Sequence, residues 1–200
     1  MSQPPLRLIS LVALTAALLA SSACGKVAEV AQRAQEAKRA AQPAKPKAPP
    51  VNYFEGDHAA KAVAQLAEKL GAPIKALEIS VYTDSVRLQV QDPNKLDNVD
   101  EYRVRNGVVG DPIPVRLFGG GNLEENLYQA SDVRFDLIPQ LITRAGEEID
   151  LEGEEITHVI VKRRLPFSRG VRIRVFVDGT RKSGSLDADS DGKVIEIDRG

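Results

Sequence analysis

The chain has 200 residues, is 42% hydrophobic and 28% charged, and carries a formal net charge of −1 with one cysteine, two histidines and no tryptophan. A single cysteine excludes an internal disulfide and any cysteine-based zinc site, and with 4% aromatics a core must come from Val, Ile, Leu and Ala. The near-neutral total hides a split: residues 25–50 hold six basic and two acidic residues, residues 51–200 hold 20 basic and 26 acidic, and a net-acidic folded part argues against nucleic acid as a partner.

At the N-terminus, Arg7 precedes thirteen uncharged, mostly apolar residues, Leu8 to Ala20. So short a run cannot span a hydrocarbon core of about 30 Å as a helix. A positive flank, a short apolar run and small residues ending on Cys24 form the pattern of an export signal over residues 1–23. The stretch Ser21-Ser22-Ala23-Cys24 resembles the lipobox of bacterial lipoproteins, with Ser21 where that family usually has Leu. The resemblance implies cleavage before Cys24, a diacylglyceryl group on its thiol and acylation of the new N-terminus, so that membrane lipid is a partner through Cys24. Gly25 stands where an aspartate marks inner-membrane retention in many double-membrane bacteria, which implies the outer membrane, facing the periplasm. An ordinary signal peptide with an unmodified cysteine nearby is the alternative.

Residues 24–50 read as a tether. Val27, Val30, Ala34, Ala37 and Ala41 recur at helical spacing, so a solvated Ala-rich helix is expected, with self-association or a peptidoglycan-facing stalk as the alternative. Four prolines between 43 and 50 then predict an extended spacer. The basic stem suits a membrane-proximal position, because anionic headgroups attract Lys and Arg within about a Debye length.

The folded part shows an internal repeat. Val86 to Val90 reads VRLQV and Val171 to Val175 reads VRIRV, 85 residues later. The hairpin pairs Asn106-Gly107 and Asp191-Gly192 lie at the same offset. Two units are expected, residues 51–118 and 132–200, joined by a linker over 119–131 containing Gly119, Gly120 and Gly121. The first unit opens with a helix capped by Asp57, with Ala60, Val63, Leu66, Ala67 and Leu70 on its apolar face and Gly71 as its stop. In the second, Asp136 is placed to cap a helix with Pro139 in its first turn. Ile138, Leu141, Ile142 and Ala145 form its stripe, and Gly146 is its expected end. Alternation predicts strands over 76–83, 85–91, 99–106 and 108–117, then over 156–164, 170–177, 182–189 and 193–198. The second unit has a longer loop, Leu165 to Gly170, where the first turns at Asp84-Ser85.

The fold class is therefore α+β, two tandem units of helix plus antiparallel meander. In this element order the chain resembles the PepSY-like group of small exported modules and the tandem β-lactamase inhibitory proteins. The resemblance implies that the two sheets can join into one continuous curved sheet whose open face binds a partner protein.

Several residues are candidates for a site. Residues 187–198 match the spacing of a calcium loop, with Asp187, Asp189 and Asp191 at positions one, three and five, Gly192 at six and Asp198 at twelve. An acidic hairpin edge turning on Asp-Gly is the other reading. Arg172 and Arg174 alternate with Val171, Ile173 and Val175 and so share one sheet face, as Arg87 does in the first unit. With Lys162 and Arg164 they form a basic face for an anionic partner, or an ordinary solvated strand face. The glycine run lacks the strand, helix and lysine of a phosphate loop, and His58 and His158 have no cysteine to complete a zinc site. No Ser elbow or triad is visible. The expectation is a lipid-anchored, non-catalytic binding or structural module without a cofactor. The alternatives are a calcium-responsive module and a hydrolase whose site is assembled only in three dimensions.

Overall fold

The structure is a computed structural model that describes residues 50–71, 73–118 and 121–200. The signal segment, Cys24 and nearly all of the tether lie outside the described residues, as do Gly119 and Gly120. Ala48–Gly200 forms one compact unit.

Helix α1 spans His58–Leu70 and buries Ala59, Ala62, Val63 and Leu66, a three-to-four spacing that keeps one stripe against the core. Ala60, Ala67 and Leu70 flank this stripe and pack against the core only partly. Asp57 precedes the helix but its side chain makes no cap hydrogen bond; it pairs instead with Lys61 at 2.8 Å. Gly71 ends the helix in the left-handed region, φ +66°, and its N–H donates to the carbonyls of Ala67 and Glu68.

Ten strands follow: β1 Lys75–Tyr82, β2 Ser85–Asp92, β3 Lys95–Arg105, β4 Val108–Val109, β5 Ile113–Pro114, β6 Tyr128–Gln129, β7 Glu155–Arg164, β8 Ser168–Asp178, β9 Ser183–Ala188 and β10 Val194–Asp198. The single strand expected over 108–117 is broken into β4 and β5. Pro112 and Pro114 offer no N–H to a ladder, so pairing there is fragmentary. A short helix α2, Leu123–Asn126, precedes β6, and two 3-10 turns, Ala130–Asp132 and Phe135–Leu137, lead into helix α3, Ile138–Ile149.

Helix α3 departs from expectation at both ends. Asp136 does not cap it: its carboxylate takes two hydrogen bonds from Arg134, and Leu137 occupies the cap position. Gly146 does not stop it either. One more turn carries Ile149 into the core, and Asp150 closes the helix at φ +46°. Burying an isoleucine is worth about 1.5–3 kcal/mol, more than the roughly 1 kcal/mol that a glycine inside a helix costs.

The strands form one open antiparallel sheet in the order β10-β9-β8-β7-β1-β2-β3-β4, with β5 also on β3 and β6 on β1. Each half is thus a helix followed by a meander, and the halves meet where β1 pairs with β7 through Glu78↔Lys162, Ile79↔Val161, Ser80↔Ile160 and Val81↔Val159. VRLQV lies on β2 and VRIRV on β8, the second strand of each meander.

Alternation decides which face is covered. Ile79 and Val81 on β1, Val86, Leu88 and Val90 on β2, Val159 and Val161 on β7, Ile173, Val175 and Val177 on β8, and Leu186 on β9 point the same way. They join Leu66 of α1 and Ile138, Leu141, Ala145 and Ile149 of α3 in a single core cluster. Both long helices therefore lie on one face of the sheet. Tyr128 locks the join from β6, its hydroxyl donating to the Val161 carbonyl at 2.9 Å inside the core. Burial pushes that phenol well above its ordinary pKa.

Candidate binding face

The residues between the core positions build the opposite face, which no helix among the described residues covers. Strand register sorts them into ladders across the sheet. One runs Arg103, Arg87, Ser80, Ile160, Arg174, Asp187 and Glu196 from β3 to β10. A second brings Glu101, Gln89, Glu78, Lys162 and Arg172 into line.

The third ladder is aromatic. Tyr82, His158 and Phe176 stack across β1, β7 and β8, with ring centroids 5.6 Å and 4.4 Å apart and planes 22° and 14° from parallel. Arg87 sits 5.1 Å from the centre of the Tyr82 ring and Arg174 5.8 Å from that of Phe176, so a guanidinium closes the stack at either end. Burial between two rings holds the His158 imidazole below its ordinary pKa, with the charges of Asp178 and Glu78 pulling the other way. The Thr157 hydroxyl lies 2.9 Å from His158 Nδ1.

The structure brings four of the five expected basic residues together. Lys162, Arg164, Arg172 and Arg174, with Ile160 and Phe176, line a shallow cleft of about 130 Å³, while Arg87 stands on the far side of the aromatic stack. They are not equivalent. Asp187, only 3% exposed, takes hydrogen bonds from Arg174 Nε at 2.5 Å and Nη2 at 2.6 Å and from Arg164 Nη1 at 3.2 Å. The carboxylate raises the pKa of Arg174. Lys162 pairs with Glu78 at 2.9 Å across the β1–β7 join. Arg87 and Arg172 make no ion pair among the described residues, and Arg87 Nε and Arg172 Nη1 are shielded from solvent without a hydrogen-bond partner.

The calcium pattern does not assemble. Asp187 lies inside β9 and is held by two arginines. Asp189 Oδ1 accepts from the backbone N–H of Asp191 and Lys193 and so shapes the β9–β10 turn. Asp198 ends β10 and accepts from the Gly200 N–H. Among the described residues no group of three His, Cys, Asp or Glu side chains is placed to hold a metal ion. The two histidines are apart in role: His58 Nδ1 sits 2.8 Å from the Asn52 carbonyl, and His158 belongs to the stack. A larger hollow of about 430 Å³ lies beside the β7–β8 hairpin, lined by Glu125, Arg163, Leu165 and Pro166, and holds no convergent set of catalytic groups.

Sequence reasoning missed the aromatic stack. Tyr82, His158 and Phe176 each sit one residue outside a core position, and that alternation was the available signal. Their meeting depends on the β1–β7 register, which no local pattern encodes.

The fold and this face define an α+β protein built on one open antiparallel sheet, with the two long helices of the described residues on a single side. No protein-family model matches the sequence, and no curated protein matches it. Among solved structures the chain is similar to a "putative lipoprotein" from Clostridium difficile 630, at 14% identity and a TM-score of 0.53, over 74% of this chain and 97% of that one. At that identity the likeness is one of fold. Among the described residues no helix is long and apolar enough to cross a membrane.

Proposed function

We propose that the chain is a lipid-anchored lipoprotein of the outer membrane, facing the periplasm, which acts as a non-catalytic binding or structural module through its open sheet face. The observation that carries the reading is one-sidedness: helices α1 and α3 share one face, and the other presents cations and aromatics in ladders across β2, β1, β7 and β8. A broad, shallow surface suits a macromolecule better than an enclosed small substrate. The lipobox-like Ser21 to Cys24, the basic tether and the lipoprotein name of the similar structure support the anchor. Two acylation signals hold a protein on a bilayer stably, where a single chain binds reversibly.

Two measurements test this. Fractionation of cells expressing a Cys24→Ser variant is expected to move the protein from membranes to the soluble periplasm; unchanged membrane association defeats the anchor. A photo-cross-linking residue at Ile160 is expected to give partner adducts that the same group at Lys61, on α1, does not. Equal labelling from both positions defeats docking through the open face.

A further inference from the structure

The two ends of the sheet are unlike. At one of them the Val51 N–H donates to Asn106 Oδ1 at 3.2 Å and the Tyr53 N–H to the Thr83 carbonyl, so the tether enters where β1 turns into β2 and β3 into β4. At the other, β2 turns into β3 and β7 into β8: Asp92 pairs with Lys95, Arg164 pairs with Ser168, and β1 runs antiparallel to both β2 and β7.

This far end gathers exposed apolar side chains. Leu96 follows the β2–β3 turn and Phe167 lies in the β7–β8 turn. Leu117 and Phe118 stand between Val115, whose N–H donates to the Val99 carbonyl, and Glu124, which pairs with Lys75 at the start of β1. Phe118 and Phe167 are 91% and 86% exposed, more than any other large apolar residue described. Single exposed apolar residues are ordinary, but four at one end mark a contact.

Charge separates the same end from the rest. Lys75 with residues 92–97, 116–126 and 162–169 make seven basic and four acidic residues, which leaves 13 basic and 22 acidic in the remainder of 51–200. The β7–β8 hairpin is the densest part, with five basic residues and no acid over 162–172. Lys95, Arg116 and Arg163 make no ion pair among the described residues.

Resting on the reading of Cys24 as a lipid anchor, we propose that this end of the sheet sits on an anionic lipid bilayer. Phe118 and Phe167 enter the headgroup layer, where aromatic rings are favoured, and Lys95, Arg116 and Arg163 lie among its phosphates. The apolar side chains project from three separate stretches, which a fluid layer accepts without a matching shape. Two copies of the chain set end to end would instead bring like cations together. The tether is long enough. Residues 24–50 span about 40 Å even at the 1.5 Å per residue of a helix, and the eleven residues of β8 cover about 36 Å. Seated in this way the sheet stands on end, and its open face stays free for a partner.

The chain has no tryptophan, so a single one reports its own surroundings. The test places Phe118→Trp, Phe167→Trp or, at the tether end, Val108→Trp in the full lipidated chain. Each is purified in a nonionic detergent and reconstituted into vesicles of phosphatidylcholine and phosphatidylglycerol with brominated acyl chains, which quench a ring that enters the bilayer. Emission from positions 118 and 167 is expected to shift to the blue and to be quenched severalfold more than emission from 108. The difference is expected to shrink severalfold in phosphatidylcholine alone and with Lys95→Gln/Arg116→Gln. Equal quenching at the three positions, or quenching as strong without phosphatidylglycerol, overturns the proposal. A chain that floats with the vesicles while 118 and 167 stay unquenched overturns it and leaves the anchor standing, and protein adducts from a photo-cross-linker at 167 would then assign this end to a protein. A chain that stays out of the vesicles overturns both.

Discussion

Arg174 on β8 and Asp187 on β9 face each other across one rung of the sheet and share two hydrogen bonds, at 2.5 and 2.6 Å, with the carboxylate all but removed from solvent. The paired geometry holds the guanidinium in place, with its central carbon 5.8 Å from the centre of the Phe176 ring. Asp187 is thus the internal counter-ion of the basic face.

Replacing Asp187 with Asn keeps the shape and removes the charge that Arg174 and Arg164 share. The expected loss is about 2 kcal/mol, in the range for hydrogen bonds to charged groups, measured as a shift in the urea midpoint. The double variant Arg174→Met/Asp187→Leu is expected to recover most of that loss, because a buried pair exchanged for apolar side chains is often neutral. No recovery would mean that the pair contributes more than its own satisfaction.

Stability should fall with acid in two separate windows. His158 has a folded pKa below its ordinary value of 6.5, so the unfolded chain binds the proton more readily. Its contribution is complete above about pH 6.5 and is lost as the pH falls toward the lowered folded value. A second loss follows at lower pH. Asp57, beside Lys61, Asp84, beside Ser85 and Arg105, Glu124, beside Lys75, and Asp136, beside Arg134, are all held below their ordinary values of 3.8 to 4.5. They stabilise at neutral pH and lose that effect as the pH falls below that range. His158→Phe, which preserves the stack, is expected to flatten the first window and leave the second; urea midpoints across the acid range read both.

Two glycines separate crowding from backbone strain. A Cβ on Gly184 would meet the Asp198 carbonyl oxygen at 2.6 Å and Ile149 Cγ2 at 2.7 Å, so Gly184→Ala should cost about 1–3 kcal/mol by overpacking helix α3 against β9. Gly56 has open space but φ +54°, so Gly56→Ala should cost only about 1–2 kcal/mol from the left-handed backbone. Thermal melts of the two variants check the order.

The Tyr128 hydroxyl ties β6 to the middle of β7. Tyr128→Phe removes that donor within the core, and the expected cost is about 1 kcal/mol with the fold intact. Amide exchange should quicken at Val161 and its neighbours on β7 before it quickens on β9.

Much of this architecture is legible in the sequence because the physics involved is local. Alternating Val, Ile and Leu with polar residues wrote out β2 and β8, and Asn106-Gly107, at φ +51° and +71°, marked the hairpin between β3 and β4. The end of α3 was misread because a glycine is a stop only where no core position follows it, and Ile149 does follow. The acids at 187–198 carried two readings, a calcium loop and an acidic hairpin edge. Spacing along the chain suggested converging ligands, yet the same alternation that buries Leu186 and Ala188 turns Asp187 to the other face, opposite Arg174. That the two sheets can join was implied by the resemblance to tandem exported modules, but the particular pairing of β1 with β7 is not written locally, since an edge that accepts one strand has the chemistry to accept another.

That join also sets the order of events when the chain first folds. Glu78 and Lys162 are 84 residues apart, so β1 waits with one side unpaired, carrying Ile79 and Val81, until β7 has been made. Chains interrupted before residue 155 keep a bare, greasy strand and are expected to clump, and closing so long a loop makes maturation slow.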